Sequence, residues 1–259
     1  MGPATYRQFR ELEERHWWFQ GMYAMCRDEL RRRIPLINGS ERFGTILDVG
    51  CGTGYWANWL NEEGEVFVLD NSQDAMHLCH ERGLRRLIQG SADELPIANE
   101  RCDFVTALGV LEHLDKDKQF LKEMCRVLKP GGYGLLLTSA YQFLWARHDE
   151  IVRHRRRYVR TSIARMIKTA GLESVKLSYV NAILLAPIFL LRCAKRGRGP
   201  VHIEEGSPDL FMPPRALNWF LYRLLRIESL LLEWLTFPFG VGLIAVVRKP
   251  QGNLASRNL

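Results

Sequence analysis

The sequence predicts an α/β protein built on a doubly wound, mostly parallel sheet of seven strands. Three observations carry that expectation. From Thr45 onward, short apolar runs alternate with helical stretches, the pattern of strands joined by crossover helices. A glycine-rich turn, Gly50-Cys51-Gly52-Thr53-Gly54, separates the first such run from the helix after it. The 259 residues are 47% hydrophobic and 25% charged, with Gly 21 and Pro 11, which suits one globular domain and excludes a collagenous, low-complexity or wholly disordered chain. A chain of this size can bury roughly three quarters of its unfolded surface, so a full core is available.

Residues 5–33 place Phe9, Leu12, Trp17, Trp18, Met22, Met25 and Leu30 among charges at approximately helical spacing, predicting one or two helices that end near Ile34-Pro35. The strand candidates follow as Thr45–Val49, Val66–Asp70, Arg86–Gln89, Asp103–Leu108 and Gly134–Thr138. An aromatic and charged stretch, Tyr141–Tyr158, then leads into a helix, Thr161–Thr169, ended by Gly171. Ser174–Val180 reads as a sixth strand and Gly242–Val247 as the last.

The residues between those two strands are unusually apolar. Ala182–Leu191 is shorter than the ~20 apolar residues a bilayer span needs, and Arg192 closes it. In Arg215–Leu235, the residues Arg215, Asn218, Tyr222, Arg226, Ser229 and Glu233 fall in one narrow polar stripe, and large apolar side chains occupy most of the remainder. That circumference needs more cover than one sheet face. Core packing or a dimer interface is one reading, and a membrane surface or the wall of a lipid-sized pocket is the other.

Six cysteines (Cys26, Cys51, Cys79, Cys102, Cys125, Cys193) contain no C-x-x-C pair, and the N-terminus opens into charged sequence rather than an apolar signal run. A reducing, intracellular protein without a zinc site is expected. Lys+Arg 36 against Asp+Glu 29 gives a net charge of +7. The excess clusters at Arg153–Arg160 and Arg192–Arg198, either as solvated faces or as contacts for anionic lipid, a phosphate-bearing substrate or nucleic acid.

Chemistry concentrates at the glycine turn. Alternate glycines let the backbone turn sharply and approach a ligand, and the following helix offers free N–H groups. Asp70 stands twenty residues after Gly50, at the end of the second strand, where a carboxylate can accept both ribose hydroxyls of a nucleoside. The turn departs from G-x-G-x-x-G, with its third glycine at 54 and Tyr at 55. Asp48 sets a carboxylate just ahead of it, unwelcome to a pyrophosphate and suited to the cationic amino group of a methionine moiety. No Gly-Lys-Ser/Thr follows, which excludes a P-loop.

With these residues the chain resembles the class I S-adenosylmethionine-dependent methyltransferases, in particular the small-molecule and lipid group of the type 11 kind with the pattern E/D-x-G-x-G-x-G. The resemblance covers about residues 43–140. Its ordered motifs are Leu47–Gly54, Leu69-Asp70, Gly90–Pro96, Val110-Leu111-Glu112-His113 and Arg126–Gly132. It implies a Rossmann-like fold, with Gly50, Gly52 and the Leu108-Gly109 backbone at the methionine part of the cofactor, Asp70 at the ribose and Ala92 at the adenine. Asp48, Cys51, Gly54, Asn71, Ser91, Asp93, His113 and Trp18 complete the implied cofactor-binding set. Many relatives have Gly-Asp-Ala-Glu where this chain has Gly90-Ser91-Ala92-Asp93. Either the Ser91 hydroxyl serves as a neutral acceptor for the adenine amino group, or Asp93 does part of that work.

His113, just past the fourth strand, is a general base or substrate contact on one reading and a helix-start residue orienting the cofactor loop on the other. Transfer from a sulfonium is an in-line displacement, and a base is needed chiefly for a hydroxyl or carbon acid. Similar acidic-His-Trp-Trp and His-Asp-Glu/His-Arg-Arg-Tyr patterns recur in a group of prokaryotic methyltransferases. They extend the resemblance to His16–Phe19 and to Trp145–Tyr158, expected as a lid over the acceptor. Trp17 or Trp18 either faces the sulfonium or packs between helix and sheet. The catalytic candidates are His113, His148 and Tyr158, with Asp149 beside them, against ordinary salt bridges in the lid. No metal is expected.

The resulting expectation is methyl transfer from S-adenosylmethionine, released as S-adenosylhomocysteine, to a small-molecule acceptor that is hydrophobic or lipid-linked, with a soluble metabolite as the alternative. Nucleic acid is not an expected partner: Ala107-Leu108-Gly109-Val110 stands where base methyltransferases carry Asn/Asp-Pro-Pro-aromatic, and no Pro-Cys nucleophile occurs. A non-catalytic cofactor-binding protein is the rival of a different class. A monomer or homodimer is expected in the cytoplasm, with peripheral contact at the inner face of the membrane left open. The expected divisions are an N-terminal helical lid at 1–42, a cofactor-binding core at 43–140, a lid and acceptor segment with the sixth strand at 141–181, an apolar helical insertion at 182–240, the last strand at 241–250 and a flexible tail at 251–259.

Overall fold

The computed structural model describes residues 2–34, 43–195 and 211–251. The expected tail from 252 and the basic residues at 196–198 lie outside the described residues. The strands are β1 (Thr45–Val49), β2 (Glu65–Asp70), β3 (Leu87–Gln89), β4 (Cys102–Leu108), β5 (Leu128–Ser139), β6 (Glu173–Val180) and β7 (Gly242–Arg248). They form one sheet in the order β3-β2-β1-β4-β5-β7-β6. Pairing is parallel from β3 through to β5, and β7 runs antiparallel to both β5 and β6. Strand order reverses between β1 and β4, so a crevice opens at their carboxyl ends, where ligands bind in open α/β sheets.

Helices cover both faces. On one, α5 (Asp117–Val127) buries Phe120, Leu121 and Met124, and α7 (Arg160–Thr169) buries Ile163 and Ile167, each at helical spacing. On the other lie Met25 and Leu30 of α2 (Trp17–Arg33) with Trp56 and Leu60 of α3 (Tyr55–Glu63). The remaining helices are α1 (Pro3–Leu12), α4 (Gln73–Glu81), the short α6 (Arg147–Ile151), α8 (Leu185–Lys195) and α9 (Arg215–Leu232). β5 begins six residues before the apolar run that marks it in the sequence, because Lys129-Pro130-Gly131-Gly132 joins the strand. Gly131 there has φ +81° and Gly132 lies so close to Asp103 O that a Cβ would approach it at 3.1 Å.

α9 docks with its polar stripe inward. Asp28 of α2 accepts from Arg226 Nη1 at 2.6 Å and from Ser229 Oγ at 2.7 Å, and Arg32 Nη1 donates to Ser229 O at 2.8 Å. Asn218 accepts from Trp17 N at 2.9 Å and donates to Arg15 O at 2.8 Å. The helices cross closely at Gly21, where a Cβ would lie 2.3 Å from Leu225 Cδ1. Most large apolar side chains of α9 therefore face away from the sheet.

Candidate active site

The glycine turn leaves β1 and is stitched to β2. Gly50 N and Cys51 N donate to Leu69 O at 2.7 and 3.2 Å, and Gly52 N donates to Asp70 Oδ2 at 3.1 Å. Gly50, Gly52 and Gly54 have φ of +68°, +55° and +79°, so this path favours glycine at each step. A Cβ at Gly50 would meet Val110 Cγ2 at 2.5 Å, whereas at Gly52 and at Gly109 (φ +68°) it would meet nothing within 4 Å. Bare backbone thus borders open space from two sides.

Asp48 sits below the turn, 2% exposed, and its Oδ2 has no hydrogen-bond partner among the described residues. Burial, with the neighbouring Asp70 carboxylate, pushes its pKa well above the ordinary range. Asp70 Oδ1 accepts from Ser72 N at 3.0 Å, and burial raises its pKa against its backbone hydrogen bonds. Tyr6 brings α1 over this corner. The ring is buried, its hydroxyl is bonded to the Ser72 side chain, and burial and Asp70 push its pKa up. Glu13, just past α1, receives Thr53 Oγ1 and Arg82 Nη2, and Arg82 Nε donates to Thr53 O at 2.9 Å.

Beyond β3, Ala92 is buried, Ser91 is exposed with its Oγ accepting from Asp93 N at 3.2 Å, and Asp93 Oδ1 is a buried oxygen with no partner among the described residues. Asn71 is exposed and its carbonyl accepts from Gln89 Nε2 at 3.5 Å. Cys51 is buried with its Sγ 3.5 Å from Cys79 Sγ, a contact that with burial raises its pKa. Trp18 is half-buried against the α2 side of the core, edge-on to Trp17 at 5.6 Å.

The ends of β4 and β5 carry a second cluster. Glu112 accepts from Thr138 Oγ1 at 2.7 Å and from Ser139 N and Oγ at 3.1 and 3.0 Å, tying the two strand ends together. Burial lowers the pKa of His113 to about 4, so its imidazole is neutral at physiological pH. His154 stands between the candidates, its ring 4.7 Å from that of His113 and 6.1 Å from that of His148. Its Nδ1 is 2.7 Å from Asp149 Oδ1, and its Nε2 is 4.0 Å from Glu112 Oε1. Asp149 is fully buried and takes a two-point bond from Arg157, Nε to Oδ1 at 2.8 Å and Nη2 to Oδ2 at 3.0 Å. Burial alone would raise its pKa; the His154 bond and the Arg157 charge outweigh that and hold it at about 2.

Tyr158 is brought to this cluster but turned inward. Its hydroxyl donates to Leu111 O at 2.9 Å and to Asp117 Oδ2 at 2.8 Å, and the residue is 4% exposed. Much of the basic run is likewise spent internally: Arg155 pairs with Asp115 at 2.7 Å, Arg156 with Asp117 at 3.2 Å and Arg157 with Asp149.

Residues 47–136 match the family described as the methyltransferase domain, Methyltransf_11. The chain carries a class I methyltransferase domain of the type 11 group. It is 36% identical over 129 residues to the demethylmenaquinone methyltransferase of Geobacillus kaustophilus, covering 46% of this chain and 53% of that protein. It is 28% identical over 146 residues to the ubiquinone biosynthesis O-methyltransferase of Aliivibrio fischeri, covering 52% and 62%. The match therefore spans about half to three fifths of the length of these two relatives. In fold, the chain is similar to a methyltransferase solved with the Haloferax volcanii Trm112 methyltransferase activator, with TM-score 0.61 and 18% identity over 95% of this chain and 94% of that one.

Within this methyltransferase domain the residues fit the cofactor on which the family depends. A buried carboxylate oxygen without a partner is costly unless a ligand supplies a donor, and Asp48 and Asp93 each present one at the two ends of the turn-to-β3 edge. The sequence reading missed Tyr6, Glu13, Arg82 and His154. Only Glu13 and His154 had a local signal, as members of the acidic-His-Trp-Trp and His-Arg-Arg-Arg-Tyr patterns.

Proposed function

We propose that the chain transfers a methyl group from S-adenosylmethionine to an apolar small-molecule acceptor. The observation that carries this reading is the buried, unpartnered Asp48 oxygen beneath a glycine turn whose Gly52, with Gly109 opposite, leaves room for a ligand against bare backbone. Asp48 takes the amino cation of the ligand, Asp70 the ribose hydroxyls, and Asp93 the adenine amino group beside Ala92. α1, held over Asp70 by Tyr6 and tied to the turn through Glu13, closes the nucleoside from solvent.

The bound cofactor supplies a methyl group on a good leaving group, so the protein's contribution is alignment and exclusion of water. His113 is kept neutral and touches the neighbouring ring of His154, which Asp149 orients through Nδ1. In this reading His154 keeps Nε2 as its acceptor nitrogen, and the His113–His154 pair takes the proton of a hydroxyl or carbon acid. The quinone-pathway names of the two relatives support an apolar acceptor. So does the aromatic flank after β5, where Tyr141 stacks at 4.9 Å on Tyr179 and at 5.0 Å on Phe143.

Calorimetry with S-adenosylmethionine and S-adenosylhomocysteine tests the cofactor half: wild type binds both and Asp70→Ala binds neither. Labelled methyl transfer into whole-cell extracts tests the acceptor half, with label expected in the organic phase. Label in the aqueous phase alone would assign a soluble metabolite, and absence of nucleoside binding would end the proposal.

A further inference from the structure

α9 is an amphipathic helix mounted inside out. In an ordinary surface helix the apolar stripe faces the core. Here the core-facing side holds Asn218, Arg226, Glu228 and Ser229, all bonded to the body of the protein, beside only two buried leucines, Leu225 and Leu232. The opposite side presents Trp219, Phe220, Ile227, Leu230, Leu231 and Trp234, between 41% and 81% exposed. At helical spacing these positions share one side, with the exposed Arg223 and the half-buried Leu224 between Phe220 and Ile227, and the stripe runs on past the end of α9 to Trp234. α8 adds Leu190 and Leu191, 65% and 60% exposed.

We propose that this stripe is a docking surface for an anionic lipid bilayer, on which α9 lies in the plane of the headgroups. Charge argues for that occupant. Within α9 the exposed charges are Arg215 and Arg223, and the helix carries no exposed carboxylate. Glu233, just past its end, lies 3.5 Å from Arg32. The Arg223 guanidinium lies 5.3 Å over the Trp219 ring, which sets an exposed cation on the apolar stripe itself. Trp219 and Trp234 mark two ends of the stripe, and indoles prefer the boundary between headgroup and acyl chain. A second copy would bring the same exposed arginines to the stripe, in a protein already at +7, whereas anionic lipid neutralises them. No helix among the described residues is long and apolar enough to cross a membrane, so contact is with the surface.

The N-terminal part of α9 is bonded to the start of α2 at Trp17, and Phe189 of α8 lies 5.8 Å from Phe143, which stacks on Tyr141. The inference deepens the functional reading by placing the apolar acceptor in the bilayer, but vesicle binding stands on α9 alone.

Flotation with vesicles of phosphatidylethanolamine and phosphatidylglycerol, against phosphatidylcholine alone, tests it. Wild type is expected to float with the anionic vesicles. Trp219→Ser/Trp234→Ser, whose side chains are 61% and 81% exposed, is expected to lose about tenfold or more in affinity, and Arg215→Gln/Arg223→Gln to lose the preference for phosphatidylglycerol. Circular dichroism and S-adenosylhomocysteine binding of both variants should match wild type, which keeps failure of docking distinct from failure of the nucleoside site. No binding to either vesicle would overturn the proposal, as would undiminished binding of the tryptophan variant. A concentration-dependent dimer abolished by the tryptophan variant, without vesicle binding, would assign the stripe to a second copy instead.

Discussion

Asp48 is the residue at which stability and binding oppose each other. Its folded-state pKa is raised above the ordinary 3.8, so the protonated form is the one the apoprotein favours. The contribution is fully present below 3.8 and is lost as pH rises through the raised value. Asp48→Asn removes that loss. The variant is expected to melt above wild type at pH 8 without ligand, and to bind S-adenosylmethionine about tenfold more weakly because the amino cation loses its counter-charge. Scanning calorimetry and titration calorimetry check the two halves. His113 titrates in the opposite sense. Burial holds it at about 4, so between 6.5 and 4 the unfolded chain takes a proton that the fold refuses, and stability falls with pH in that window. Imidazole NMR should give a midpoint near 4; a midpoint near 6.5 would mean that the ring is solvated.

At the scale of elements, the segment between β5 and α7 depends on one buried ion pair. Arg157 and Asp149 are 3% and 0% exposed in their side chains, and the pair also orients His154. Removing one partner leaves the other charge buried and unpaired, so Arg157→Ala is expected to cost about 3–5 kcal/mol in urea unfolding. Acid should weaken the same segment as pH falls from 3.8 through about 2, because the lowered pKa of Asp149 makes its contribution present above 3.8. α9 reverses the usual ranking of helix substitutions. Asp28→Ala, which strands Arg226 and Ser229, is expected to cost about 1–3 kcal/mol, whereas Trp234→Ser should stay within about 0.5 kcal/mol. Equal costs in a denaturant series would show that the apolar stripe is covered.

For the whole molecule, ligand and fold are linked through mass action. A ligand at a hundred times its dissociation constant adds about 2.7 kcal/mol, which for a chain of this length raises Tm by roughly 5–10 °C. That increment with S-adenosylhomocysteine should grow as pH rises through the raised pKa of Asp48, because the amino cation pairs with the ionised carboxylate. Thermal shift across a pH series, compared with Asp48→Asn, measures it, and an increment that changes with pH identically in wild type and Asp48→Asn would remove Asp48 from the amino-group site.

The amino-acid sequence by itself determined the strands, their boundaries to within a residue or two except at β5, the glycine turn and Asp70, because these are set by local periodicity and by backbone conformations few residues adopt. Tyr6 over Asp70 and Arg82 on the turn come from distant segments, and no spacing in the chain marks them; His154 lies in a recognisable pattern, but only the fold sets its ring between those of His113 and His148. The stripe in Arg215–Leu235 was legible, but the direction it faces was not. A helical period reports that two faces differ, and only the partners offered by α2, Asp28, Arg32 and the close approach at Gly21, decided that the polar face would be the buried one.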